Sequence, residues 1–392
     1  MLDGRVAWSA ATLLRALSYP HEDRADDVAE AIAVREGRAI LERFLDRYGH
    51  RLRLRGHGLA EALEGATSTL TLRSAWDPWA GAVARSLERD DPAPERTAML
   101  AALHLAASDG AGAPWSCVLY DPAPLRFGRW LLPPVELVAL LVDGEGARVA
   151  ARGAWGELEV TADGGGDPAG AAELLPAVGG PEPLTMLPAA EPGIEFPPPD
   201  EGVAVPGRVP PEAAESVALS LALIGRAAPA YLRWVGWGLR DAVVVPAGPG
   251  APRSGASAGW PGLAFLSAPH DPTALAELLV HEATHQYLHL ASRVGPVDDG
   301  SDQGTYWCPL KGGERPLSRL LAAYHAFGNV ALVLWGLVEA GVDQRGRAAE
   351  RLAALLPALR TTEAHLWQNP ALTPAGRALV DPLLARLSTL AG

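Results

Sequence analysis

Two histidines, His281 and His285, stand four residues apart in the run His281-Glu282-Ala283-Thr284-His285. On a helix, four steps of about 100° bring two side chains to nearly one face, one turn apart, so both imidazoles can reach a single ion. Glu282 lies one step away and can address a metal-bound water without being a ligand. The first expectation is therefore a catalytic divalent metal held by His281 and His285, with Glu282 as the catalytic carboxylate. Two surface histidines would carry the same letters, so the context decides. A strand-type run at Gly262–Ser267 leads through a short loop to Asp271, a suitable N-cap, and Pro272, a suitable first helical residue. A helix is predicted over Pro272–Ala291.

A third ligand must come from elsewhere. One large class of metallopeptidases supplies a Glu about twenty residues on, but residues 300–312 contain no Glu, and Glu314 stands close before a Pro. A third histidine six residues after the second is ruled out by Ala291. His289 continues the helix face, yet its Cα would lie about 12 Å from that of His281, awkward for one ion. His325 is the better candidate, on a second predicted helix 40 residues downstream of His285, although a lone histidine in an apolar stripe is more often a packed core residue. His270 is the reserve. Three neutral histidines leave open positions, which suit a hydrolytic water on zinc or a bidentate oxo acid and dioxygen on Fe(II). Spacing does not separate the two.

The elements that must position these residues follow from apolar periodicity, and they indicate an α+β fold. Residues 1–113 read as a helical N-terminal region, with helices at Val6–Leu17, Val28–Tyr48, Trp76–Leu87 and Glu95–Ala107. His21, His50, His57 and His104 fall here without a matching acid, as surface or capping histidines. Residues 114–205 read as β-rich, with strands at Ser116–Tyr120, Leu137–Val142, Arg148–Ala151 and Glu157–Thr161, then a Pro- and Gly-rich connection with too little apolar pattern for a core. Residues 206–392 form the catalytic region. It comprises a helix over Pro211–Val235, strands at Asp241–Pro246 and Gly262–Ser267, the motif helix, a polar loop, a helix from Pro316 to Ala340 stopped by Gly341, and closing helices at Arg345–Arg360 and Pro374–Leu390.

Composition narrows the setting. The formal net charge of −13 opposes bulk nucleic-acid binding, which needs a basic surface. Lys311 is the only lysine, a bias in keeping with a GC-rich genome. Two distant cysteines argue against a disulfide framework and fit a reducing, cytoplasmic setting. No membrane span and no secretory signal are expected. Oligomeric state is not legible.

The segment Leu279-Val280-His281-Glu282-Ala283-Thr284-His285-Gln286, followed by a Pro-containing loop, by Glu314-Arg315-Pro316-Leu317-Ser318-Arg319-Leu320-Leu321 and by Tyr324-His325-Ala326-Phe327, resembles the HExxH-motif peptide-modification family of bacterial natural-product gene clusters. The similarity covers roughly residues 260–340. It implies a zincin-like, mostly helical catalytic domain and a 2-oxoglutarate-dependent non-haem iron oxygenase, acting with dioxygen. The implied substrate is a ribosomally made precursor peptide, hydroxylated at a side-chain β-carbon. Under it, His281, His285 and His325 hold Fe(II), and 2-oxoglutarate chelates two further positions. A cation then receives the distal carboxylate: Arg315, with Lys311 and Arg319 as alternatives. Glu282 would orient water or a ligand histidine. Two other readings stay open: a zinc metallopeptidase with Glu282 as general base, and a non-catalytic peptide-binding protein.

Overall fold

The computed structural model describes residues 10–20, 25–55, 57–110, 113–143, 146–162, 164–167, 172–179, 183–188, 207–248, 250–343 and 345–390. The Pro-rich run Glu195–Asp200, His21 and the start of the helix expected at Val6 lie outside them. Among the described residues the chain is α+β, with helices at both ends and a sheet-rich middle, as its periodicity indicates.

The N-terminal region comprises α1 (Ala10–Leu14), a 3-10 turn at Arg15–Leu17, α2 (Ala25–Leu54), α3 (Leu59–Thr67), α4 (Leu72–Ala75), α5 (Pro78–Arg89) and α6 (Pro94–Asp109). Asp77 caps α5 by accepting from the Trp79 amide at 3.2 Å, and Pro78 opens that helix. Strands β1 (Trp115–Phe127), β2 (Trp130–Asp143), β3 (Gly146–Gly153), β4 (Gly156–Thr161) and β5 (Gly166–Asp167) follow as an antiparallel meander, and β6 (Glu173–Leu174) pairs with β2. Both β1 and β2 run well past the expected Ser116–Tyr120 and Leu137–Val142. The prolines within them break the apolar alternation that marks a strand in sequence, while β1 crosses this stretch with shifts in register.

The connection expected to be a bare linker carries strands. β7 (Ala177–Val178) pairs with β8 (Leu184–Pro188), and β8 lies parallel to β9 (Asp241–Pro246). The second sheet runs β10-β11-β9-β8-β7, with β10 (Ser254–Ala256) antiparallel at its edge and β11 (Leu263–Ala268) parallel to β9. Every residue of β8 is buried, so residues before 206 complete the sheet under the motif helix.

Helices α7 (Pro211–Ala227) and α8 (Pro229–Gly238) replace the single helix expected over Pro211–Val235. Pro229 disfavours helical backbone at Ala228, which takes φ −147°, and the chain turns there. Helix α9 (Pro272–Ser292) carries the motif. The expected polar loop after it contains a hairpin, β12 (Thr305–Cys308) and β13 (Gly313–Pro316), closed by a turn at Gly312 with φ 64°. Helices α10 (Leu317–Glu339), α11 (Arg347–Leu366) and α12 (Pro374–Ser388) end the fold. Among the described residues α10 is the one helix long and apolar enough to cross a membrane. Its apolarity has another cause: 78% of that window is buried, and α10 packs between α7, α9, α11 and α12. One continuous core runs from Leu14 to Leu387 through all three regions.

Candidate metal centre

Helix α9 starts as its sequence indicates. Asp271 accepts from the Thr273 amide at 3.1 Å, Pro272 follows, and the Arg347 guanidinium reaches the same carboxylate at 2.9 Å. Its rotation is set further along by residues the sequence reading did not single out. Gln286 accepts from the Gly262 amide at 3.1 Å and donates to the carbonyls of Leu263 (2.9 Å) and Trp260 (3.2 Å), tying the helix to the start of β11. The Trp234 indole donates to Thr284 at 3.4 Å, and Tyr287 stacks on that ring at 3.6 Å. Gln286 directly follows the motif, so an uncharged amide beside two candidate ligands was the available signal, and the structure buries it fully.

With α9 so fixed, Glu282 faces the sheet edge, where the Ser254 hydroxyl on β10 donates to Oε1 at 2.6 Å. Its other oxygen, Oε2, is buried without a hydrogen-bond partner. Burial raises the carboxyl to about 7, against smaller opposing effects of Ser254 and Lys311.

His281 and His285 turn to the adjacent face, their Nε2 atoms 3.1 Å apart and their rings perpendicular. Burial brings His281 down to about 3, helped by the charges of Lys311 and Arg351. Burial likewise holds His285 well below its ordinary value, with His281 and His289 adding to the effect. Both imidazoles are therefore neutral at physiological pH. Two nitrogens bound to one ion at about 2.0–2.1 Å, at 90–110° to each other, lie about 2.9–3.4 Å apart, so the observed separation matches a shared ion. Neutral nitrogen donors also suit a first-row divalent metal.

The remaining predicted residues are distributed unevenly around this pair. His325 on α10 is fully buried, and its Nε2 lies 2.8 Å from the Ser18 carbonyl and 3.1 Å from that of Leu17. Its Nδ1 is buried without a partner, and its charge would bear on His285. Asn329, one turn on, donates to the same Ser18 carbonyl at 2.9 Å, so this corner of α10 also anchors the N-terminal segment. His289 stacks near His285 at 6.4 Å, and burial brings it to about 4. His270 contacts the Ser267 hydroxyl at 3.1 Å at the end of β11. Arg315 is exposed on β13. Among the described residues, no three or more His, Cys, Asp or Glu side chains are gathered to hold one ion. The motif pair supplies two donors, and the structure does not join a third to them.

Phe327 on α10 covers His281, ring to ring at 4.6 Å. The Lys311 ammonium lies 4.9 Å from the Phe327 ring centre and the Arg351 guanidinium 5.9 Å. Arg351 is neutralised by Glu277, with contacts down to 2.6 Å. No family model matches this chain, and no curated protein is similar enough to match it.

Proposed function

We propose that this chain is a non-haem Fe(II)- and 2-oxoglutarate-dependent oxygenase that hydroxylates a side chain, at the β-carbon, of a ribosomally made precursor peptide. The observation that carries the metal is the 3.1 Å approach of two neutral, desolvated imidazoles, His281 and His285. These two residues would hold the ion, and His325, with its unpartnered buried Nδ1, is the candidate third donor. The iron, when bound, supplies the redox chemistry that protein side chains lack. Phe327 shields the His281 side of the site from water, and Ser254 fixes the orientation of Glu282. Near neutrality Glu282 divides between acid and carboxylate, able to hold or release a proton beside the pair. Cys117 and Cys308 are both buried and unpaired, which suits the reducing, cytoplasmic setting that ferrous iron requires.

A second reading, a zinc peptidase, is favoured by that same Glu282. A carboxyl brought to about 7 is well matched to general-base work on water. The two separate cleanly. Protein purified without oxygen and loaded with Fe(II) is expected to form succinate from 2-oxoglutarate and to add about 16 Da to the precursor peptide encoded nearby. Zinc-dependent cleavage of that peptide, with no need for 2-oxoglutarate, establishes the peptidase instead.

A further inference from the structure

Away from the motif helix, a cavity of about 420 Å³ opens where the N-terminal segment meets the turn between α7 and α8. Tyr19, Tyr231 and Trp335 wall it together with Leu332 of α10, and Arg386 of α12 stands at its side. A volume of this size holds a molecule of one or two rings. Among the described residues that line it, none is acidic and Arg386 alone carries a charge.

The walls are held in place without a guest. Gly336 on α10 lets the α7–α8 turn close in, since a Cβ there would lie 3.0 Å from the Ala227 carbonyl oxygen. Tyr231 is buried, and its hydroxyl donates to Asn329 at 2.7 Å. Asn329 donates in turn to the Ser18 carbonyl at 2.9 Å, and the Ser18 hydroxyl donates to the Leu379 carbonyl at 2.5 Å. These bonds fix one aromatic wall and the chain that leads into Tyr19, which removes part of the ordering cost of binding. They also commit the Tyr231 hydroxyl, so the charge-assisted contact for a guest falls to Arg386.

The Arg386 guanidinium lies over the Trp335 ring, 5.5 Å from its centre, and its charge reaches Tyr231. No carboxylate among the described residues forms an ion pair with it. It is half-buried, so part of its hydration is lost, and a ring face compensates that loss only in part. An anion beside it compensates the loss more fully through charge-assisted hydrogen bonds. The net charge of −13 does not reverse this preference, because the fields of distant acidic residues are screened beyond roughly 8–10 Å.

We propose that this cavity is a binding site for a small aromatic carboxylate, its ring against Trp335 and the two tyrosines and its carboxylate on the Arg386 guanidinium. Ring faces supply the apolar contact, and the planar guanidinium receives both carboxylate oxygens. The assignment stands apart from the motif pair and holds whether or not a metal binds there.

Calorimetric titration of the full chain with phenylpropionate and with indolepropionate tests it. Phenylpropanol and hexanoate serve as guests that lack the charge and the ring respectively. At least one aromatic acid is expected to bind at a single site, roughly 10-fold or more tightly than either control. Arg386→Met should weaken that acid by roughly 10- to 100-fold, to the level of phenylpropanol, whose own binding stays unchanged. Arg386→Lys should recover part of the loss, and Trp335→Leu should weaken acid and alcohol alike. Arg47→Met, in a surface pair with Asp90 outside the cavity, should bind as the wild type does. Circular dichroism and the urea midpoint establish that each variant is folded. Absence of binding by both acids to the folded wild type overturns the assignment. So does equal affinity for hexanoate, or acid binding that Arg386→Met or Trp335→Leu leaves intact. Tighter capture of a proline-rich peptide than of either acid also overturns it, because the same ring faces then form a peptide groove.

Discussion

At the scale of single residues, the pair His281 and His285 is held in a state that disfavours protons, as the proposed metal requires. Burial removes the water that would stabilise an imidazolium, so the nitrogen lone pairs remain available. Either His281→Ala or His285→Ala is expected to abolish stoichiometric metal, as measured by atomic emission after dialysis, whereas Glu282→Gln should keep it. His325 is the informative third case. Its Nε2 is satisfied by two backbone carbonyls, which is how many ligating histidines are oriented, while Nδ1 stays free. His325→Ala should lower metal content as well as stability, and a folded variant with full metal removes His325 from the ligands.

At the scale of elements, the site depends on how α9 is clamped between β11 and α8. The His-Glu-x-x-His spacing places both histidines on one side of any helix, but Gln286 decides which way that side faces. Gln286→Ala leaves the Gly262 amide and two carbonyls without their partner in a dry interface. A loss of about 3 kcal/mol is expected, read as a lower urea midpoint at unchanged slope. Metal affinity should fall with it, since the helix is then free to rotate.

At the scale of the whole molecule, the three regions are joined through buried charge as well as through the common core. Arg126 on β1 makes a bidentate pair with Asp241 on β9, at 2.6 and 2.7 Å, linking the two sheets. Removing one partner strands the other, so Arg126→Met should cost about 3–5 kcal/mol, and Arg126→Met with Asp241→Leu should recover a large part of it in denaturant unfolding. Nearby, His104 on α6 contacts Asp77 at 2.9 Å, where the sequence offered no matching acid. Burial alone would lower His104, but the Asp77 carboxylate and its hydrogen bond outweigh burial and raise it above 6.5, with Arg126 opposing and Asp241 assisting. A histidine raised in the native state contributes stability that is complete below 6.5 and disappears as pH rises through its native value. Unfolding free energy should therefore decline as pH rises from 6.5 through that native value, and His104→Leu should flatten the decline.

What local chemistry alone carries is the part of the design that repeats along the chain. The cap at Asp271 and Pro272, the apolar stripe of α9, the strand Asp241–Pro246 and the stop at Gly341 are short-range features, and each lies where its residues indicate. The motif pair belongs with them, because four residues of helix suffice to align two side chains. The strand at β8 and the hairpin carrying Lys311 were hidden, since their pairing partners lie far off in sequence or within a Gly- and Pro-rich stretch. So was the Asp77–His104 contact. Those depend on which surfaces meet once the core has closed.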